Sequence, residues 1–192
     1  MKRTFDIAAS LLGLAVLMPL LIITGLWIVM DSRGGVFYIQ KRVGRGGKDF
    51  SLYKFRSMYT KSDSKGLLTV GARDYRITHA GYFIRKYKID ELPQLINVLK
   101  GDMSFVGPRP EVRRYVDLYT PEQMKVLSVR PGITDPASIK YYNENSILAA
   151  AKDPERYYTD VIMQDKLRIN MEYISNRSFF KDIRLIFNTI LH

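Results

Sequence analysis

The sequence predicts a mainly helical α+β protein: an apolar N-terminal helix bent at Pro19, a small β-hairpin and a series of short helices. Three observations predict it. Residues 7–30 are uncharged and strongly apolar, two β-rich segments flank a Gly-rich turn, and helix-capping signals recur through the second half. The 192 residues suffice for one core, so a single unit (34–192) behind an apolar appendage (1–33) is expected.

The apolar run from Ile7 to Met30 would extend about 36 Å as a straight helix, enough to cross a hydrocarbon core of about 30 Å. It is too long for a signal peptide, and no small-residue cleavage site follows it. Pro19 lies mid-run, where a missing amide donor and a steric clash predict a kink or break. Both flanks are basic: Lys2 and Arg3 before, then Arg33, Lys41, Arg42 and Arg45 after. Positive flanks favour the cytoplasmic side, so a helix that bends and returns to its own leaflet competes with a simple span. Ser10 and Thr24 are the hydroxyls available to the freed carbonyls. On these grounds the two topologies stand level.

Val36–Gln40 and Phe50–Phe55, around Gly44-Arg45-Gly46-Gly47, read as a β-hairpin. Lys61–Lys65 is a polar loop, and Thr78–Lys86 a helix. Asp90–Leu99 reads as a short helix with Asp90 at the N-cap and Pro93 in the first turn. Thr120-Pro121-Glu122-Gln123 carries a capping box, and Asp153-Pro154-Glu155 opens a longer helix. Phe179, Ile183, Ile186 and Ile190 recur at helical spacing, which favours core packing over a membrane-surface role.

Charge narrows the chemistry. Thirty Lys+Arg against nineteen Asp+Glu leave +11, so a polyanionic partner is expected. No nucleic-acid-binding signature is present, and an anionic lipid surface accounts for the excess more simply. There is no cysteine, which excludes disulfides, thiolate metal sites and thiol nucleophiles. His79 and His192 are too few for a histidine-ligated metal. A metal here would be hard, Mg²⁺, sharing carboxylates and phosphate oxygens.

Asp90 and Glu91 are adjacent acids at a helix start. Helix capping explains such a pair, and so does a nucleophilic carboxylate facing phosphorus. The surroundings favour phosphate chemistry. Arg85 lies five residues before the pair, Pro108-Arg109-Pro110 stiffens one guanidinium, Arg130-Pro131-Gly132 repeats the device, and Lys54 and Arg56 alternate along a strand.

With KFRSM (54–58), IRKYKIDELPQLINVLKGDMSFVGPRPE (84–111) and RPGIT (130–134) behind an apolar helix with a central proline, the chain resembles the bacterial sugar transferase family, in its small monotopic polyprenyl-phosphate phosphoglycosyl transferase form. The resemblance covers nearly the whole chain. It implies amphipathic interfacial helices around the active site and a re-entrant helix broken at Pro19, with the catalytic part on the cytoplasmic face of a bacterial inner membrane. It further implies transfer of phospho-sugar from a UDP-sugar to polyprenyl phosphate in surface-glycan assembly, releasing UMP through a covalent aspartyl intermediate. Asp90 would be the nucleophile, and Glu91 the metal or proton partner. Lys54, Arg56, Arg85, Arg109 and Arg130 would bind substrate. The bilayer is an expected partner, nucleic acid is not, and a homodimer is compatible.

Two departures from the family pattern stand out. Met18 occupies a position where a serine commonly helps satisfy carbonyls freed at the bend. Asp135-Pro136-Ala137-Ser138 replaces a Gly-aromatic/Leu-Ala-Gln segment; a loop touching the donor there would shift sugar or nucleotide preference. Two other classes fit part of the pattern: a non-catalytic basic membrane adaptor, and a lipid-linked phosphohydrolase that uses the same acids with water.

Overall fold

The computed structural model describes residues 1–60, 62, 68 and 74–191. Apart from Ser62, the polar loop expected at Lys61–Lys65 lies outside the described residues, as does His192.

Helix α1 (Lys2–Asp31) stays helical through Pro19, so the proline does not divide it into two helices. A proline removes one amide bond, and the intact turns on either side hold the helix together. Ser10 does not bridge the proline region; its hydroxyl donates to the Ile7 carbonyl at 3.1 Å. The helix is inverted relative to a soluble one. Its buried positions are Asp6, Ser10, Thr24, Gly25 and Ile28, while Leu12, Val16, Ile23, Leu26 and Met30 are exposed. An apolar rim with polar and small residues turned inward suits lipid on one side and protein on the other.

Strands β1 (Phe37–Val43) and β2 (Asp49–Phe55) pair antiparallel, from Phe37 opposite Phe55 to Val43 opposite Asp49. The hairpin is as the sequence predicts, with β1 reaching farther toward the turn. Helix α2 (His79–Lys86) is capped by Thr78, whose Oγ1 accepts from the Gly81 amide at 3.0 Å. A 3₁₀ turn, Ile89–Glu91, then leads through Pro93 into α3 (Gln94–Lys100). This replaces the single helix expected from Asp90: Pro93 holds the N-cap position, and Asp90 caps nothing with its side chain.

Strands β3 (Ser104–Val106) and β4 (Gly132–Thr134) form a parallel pair absent from the sequence prediction. Between them lie α4 (Arg113–Val116) and a 3₁₀ segment, Gln123–Ser128. The expected capping box is present. Thr120 Oγ1 accepts from the Gln123 amide, and Gln123 Oε1 accepts from the Thr120 amide. Helices α5 (Pro136–Lys140), α6 (Glu144–Ala150) and α7 (Pro154–Tyr157) follow. A π turn, Tyr158–Ile162, joins α7 to α8 (Met163–Ser175). Val112, Tyr115, Val126, Leu148, Tyr158, Ile162, Met163 and Leu167 form the largest apolar cluster.

Helix α9 (Phe179–Leu191) departs from the expected core packing. Phe180 and Phe187 are exposed, Ile183 and Ile186 are half-buried, and Asp182 is buried and takes hydrogen bonds from Lys2 and Tyr173.

Both ends of α1 are fastened to the rest of the chain. At the start, Arg3 donates to the Val98 and Leu99 carbonyls at 2.5 and 2.8 Å, satisfying the C-terminal end of α3. Asp6 accepts from Ser104 Oγ and the Phe105 amide. At the far end, Ile28 packs with Phe55 and Ile84, and Trp27 lies 5.3 Å from the Phe83 ring.

Candidate active site

The site is assembled by α3 lying on β2. Asn97, fully buried, accepts from the Tyr53 amide and donates to the Ser51 carbonyl and to Asp102. These bonds fix the position of the 3₁₀ turn ahead of α3 relative to Lys54 on β2. Lys88, immediately before the turn, adopts φ 57°, the one non-glycine in the left-handed region among the described residues. Backbone of this kind persists where surrounding contacts over-determine it, often at functional sites.

The Arg109 turn is held from two sides. Val43 donates its amide to the Glu111 carbonyl, and the Arg42 guanidinium donates to the Pro110 carbonyl at 3.0 Å. On the other side, Gly107 and Gly132 bring two backbones together. A Cβ on Gly132 would lie 2.1 Å from the Gly107 nitrogen, and one on Gly107 would lie 2.3 Å from the Arg130 carbonyl oxygen. Only glycine permits that approach.

Glu91 is therefore clamped. Lys54 Nζ donates to Oε1 at 2.9 Å, Arg109 donates to Oε2 at 3.1 Å, and the second Arg109 amino group donates to Oε1. The fork is bidentate, the strong form of this contact. Burial alone would raise the Glu91 carboxyl, but Arg109 and then Lys54 outweigh it and hold it well below the usual range. Glu91 in turn raises Arg109, whereas burial lowers Lys54 despite its carboxylate partner.

Asp90 is the opposite case. It is 6% exposed, and its Oδ1 is buried without a hydrogen-bond partner. Burial, then the Glu91 charge, raise its carboxyl, while Lys54, Arg85 and Lys88 pull it back down. A buried carboxylate oxygen without a partner costs about 1–3 kcal/mol or more, which a protein retains where something else is to meet it. Gln94 Nε2, a buried donor also lacking a partner, lines a small recess beside Lys54, Arg109 and Arg42.

Five cations were expected around the pair, and the structure brings three to it. Lys54 and Arg109 bind Glu91, and Arg85 faces Asp90 from α2, donating weakly to Ser57 Oγ at 3.5 Å. Arg56 is not among them. All five of its N–H groups are engaged: by the carbonyls of Ile28, Ser32, Arg33 and Gly35 and by Ser32 Oγ. It terminates α1 and has no donor left for phosphate. Arg130 is also displaced: its Nε donates to the Gly101 carbonyl at 2.9 Å, at the opposite end of α3 from the pair. Gln94 and Arg42 were missed. Gln94, three residues beyond Glu91, reads in sequence as an ordinary first-turn residue.

No group of three or more His, Asp or Glu able to hold a metal occurs among the described residues. Magnesium commonly takes only one or two carboxylates plus phosphate oxygens, however. Asp90 Oδ1 is free, and Glu91 accepts three bonds of the roughly four a carboxylate can take. The pair fits such an ion.

The profile of the family described as Bacterial sugar transferase matches residues 1–192. The chain belongs to the bacterial sugar transferase family. The chain is 40% identical over 192 residues to an Aeromonas hydrophila protein named UDP-N-acetylgalactosamine-undecaprenyl-phosphate N-acetylgalactosaminephosphotransferase, covering 98% of the chain and 42% of that relative. It is 38% identical to the Bacillus subtilis sugar transferase EpsL, covering 99% of the chain and 85% of the relative. A Caulobacter vibrioides UDP-glucose:undecaprenyl-phosphate glucose-1-phosphate transferase is 33% identical, covering 98% of the chain and 68% of the relative. The chain thus spans less than half of the Aeromonas protein but most of the other two.

Proposed function

We propose that the protein transfers a phospho-sugar from a UDP-sugar to undecaprenyl phosphate at the membrane, in surface-polysaccharide assembly. The observation that carries this reading is Asp90: buried, lacking a partner at Oδ1, and adjacent to a carboxylate locked by Lys54 and Arg109. The transferase names of the relatives support the same class.

In this mechanism an Asp90 oxygen attacks the sugar-bearing phosphorus of the diphosphate. The bond to the bridging oxygen breaks, UMP leaves with that electron pair, and an aspartyl phospho-sugar remains. The phosphate oxygen of the polyprenyl acceptor then attacks the same phosphorus and frees Asp90. Desolvation keeps Asp90 basic, and Lys54, Arg85 and Lys88 draw its carboxyl back toward the ionised form. Arg109 and Lys54, oriented by Glu91, neutralise the diphosphate, and Gln94 Nε2 supplies a further donor. Mg²⁺ held by Asp90 and Glu91 would supply charge neutralisation on the phosphate oxygens.

Both fastened ends of α1 support a re-entrant topology. A helix crossing the bilayer would carry Lys2, Arg3 and Asp6 to the far side, yet these residues bond α3, β3 and α9 of the same body that Ile28 and Trp27 contact. The exposed Trp27, Phe83 and Tyr87 rings suit a membrane–water interface.

The test is Asp90→Asn assayed with UDP-sugars, Mg²⁺ and undecaprenyl phosphate. UMP release should vanish while membrane association persists. The variant should also melt higher than wild type at neutral pH, because the buried charge is gone. Full turnover by the variant would refute the nucleophile. Release of UMP together with free sugar phosphate in the absence of the lipid acceptor would indicate a hydrolase instead.

A further inference from the structure

A second cleft extends away from the dyad. Arg109 lines it, together with Tyr119, Tyr158, Asp135 and Ser138 and, from α8, Asn170. Most of its polar groups are committed. Tyr158 donates to Glu111 at 2.6 Å, and Asp135 accepts from the Ala137 and Ser138 amides and from Ser138 Oγ. Asn170 is different. It is 6% exposed, and its Oδ1 is buried without a hydrogen-bond partner. Val126, Leu167 and Met163 make the surroundings apolar, so the missing bond is costly and nothing nearby supplies it.

We infer that this cleft holds the nucleoside end of the donor, with the Asn170 side-chain amide bonding the imide edge of the uracil base. The inference rests on the UDP-sugar reading above and extends it to the base. Arg109 lines both the recess beside Lys54 and this cleft, so a diphosphate held at Arg109 has the cleft with the unpaired amide within reach of its nucleoside. An amide offers an acceptor and donors on one short edge, and uracil presents an N–H flanked by carbonyl oxygens. The half-buried Tyr119 ring provides a flat wall of the kind bases stack against. Asp135 and Ser138, where this chain departs from its family pattern, form part of the same cleft.

The experiment measures UMP binding by calorimetry on the full-length protein in detergent, with wild type, Asn170→Leu and Asn170→Asp. Wild type should bind UMP, and bind N3-methyl-UMP about tenfold more weakly, since a lost buried hydrogen bond is worth about 1–2 kcal/mol. Asn170→Leu should bind UMP about tenfold more weakly and no longer distinguish the methylated base. Its melting temperature should hold or rise, because the unpaired amide is gone; a purely structural asparagine would make it fall. Asn170→Asp, nearly isosteric, should also weaken UMP, by repulsion from the base carbonyls. Unchanged UMP affinity in Asn170→Leu, or equal binding of both nucleotides by wild type, overturns the inference. If UMP release by wild type is intact in either case, the proposed reaction stands without it. Wild type that neither binds nor releases UMP overturns both.

Discussion

Arg56→Lys separates a structural arginine from a substrate-binding one. Arg56 makes five N–H···O bonds of 2.6 to 3.3 Å, and lysine has three donors on one point charge. At least two acceptors at the end of α1 are then left without a partner. Bonds to a charged donor contribute about 1.5–3 kcal/mol each, giving a loss of about 3–6 kcal/mol. Ser32 and Arg33 lie near solvent and recover part of this through water, so about 2–4 kcal/mol is expected. For a chain of this size that lowers the melting temperature by roughly 4–16 °C. The protein has a single tryptophan, Trp27, on the affected half of α1 and against Phe83, so its fluorescence in detergent reports the loss directly. Donor KM should stay near wild type at temperatures where the variant is folded. An unchanged melting curve with a raised donor KM would refute the assignment and return Arg56 to the substrate.

Arg109→Lys keeps the charge but loses the fork on Glu91, so turnover should fall about 10²–10³-fold with membrane binding intact; a wild-type rate would show the fork to be dispensable. The acid limb of the rate profile should lie above the ordinary aspartate range near 3.9, because the folded Asp90 carboxyl is raised. Stability follows with opposite signs. Glu91 is depressed, so its contribution is complete above about 4.3 and fades as pH drops through its folded value. Asp90 is raised, so its favourable contribution belongs to low pH and is lost as pH rises through its folded value. The stability gain of Asp90→Asn should accordingly shrink toward zero in acid, and melting curves from acidic to neutral pH check this. Gly132→Ala places a methyl 2.1 Å from the Gly107 nitrogen; it should destabilise by several kcal/mol and abolish activity, as melting and UMP assays would show.

Much of the site was legible because its chemistry is local. Asp90, Glu91 and Arg85 sit within seven residues, and a Pro-Arg-Pro turn has few ways to aim its guanidinium. The hairpin and the Thr120 capping box follow from short-range rules and are present as expected. The misreadings are long-range. Arg56 was assigned to phosphate because strand alternation groups it with Lys54, and nothing local shows that α1 ends beside it. Arg130 shares a Pro-flanked turn with Arg109, but the Gly107–Gly132 contact sends it toward Gly101. Strands of three residues, such as β3 and β4, are too short to show alternation. The unpaired atoms of Gln94 and Asn170 are defined by partners that are absent, and no pattern of residues records that.

Arg3 closes the last carbonyls of α3 from the start of the apolar helix, while the 3₁₀ turn ahead of α3 carries the acids. On the proposed reading, lipid insertion and catalytic competence are therefore one folding event. A chain stranded in water would have nowhere to place the exposed side of α1, and would lose with that helix the brace beneath its own dyad. Such a copy would be inert toward soluble nucleotide sugar. On that reading the bilayer acts as a checkpoint on the fold, confining the proposed chemistry to molecules already positioned beside their lipid acceptor.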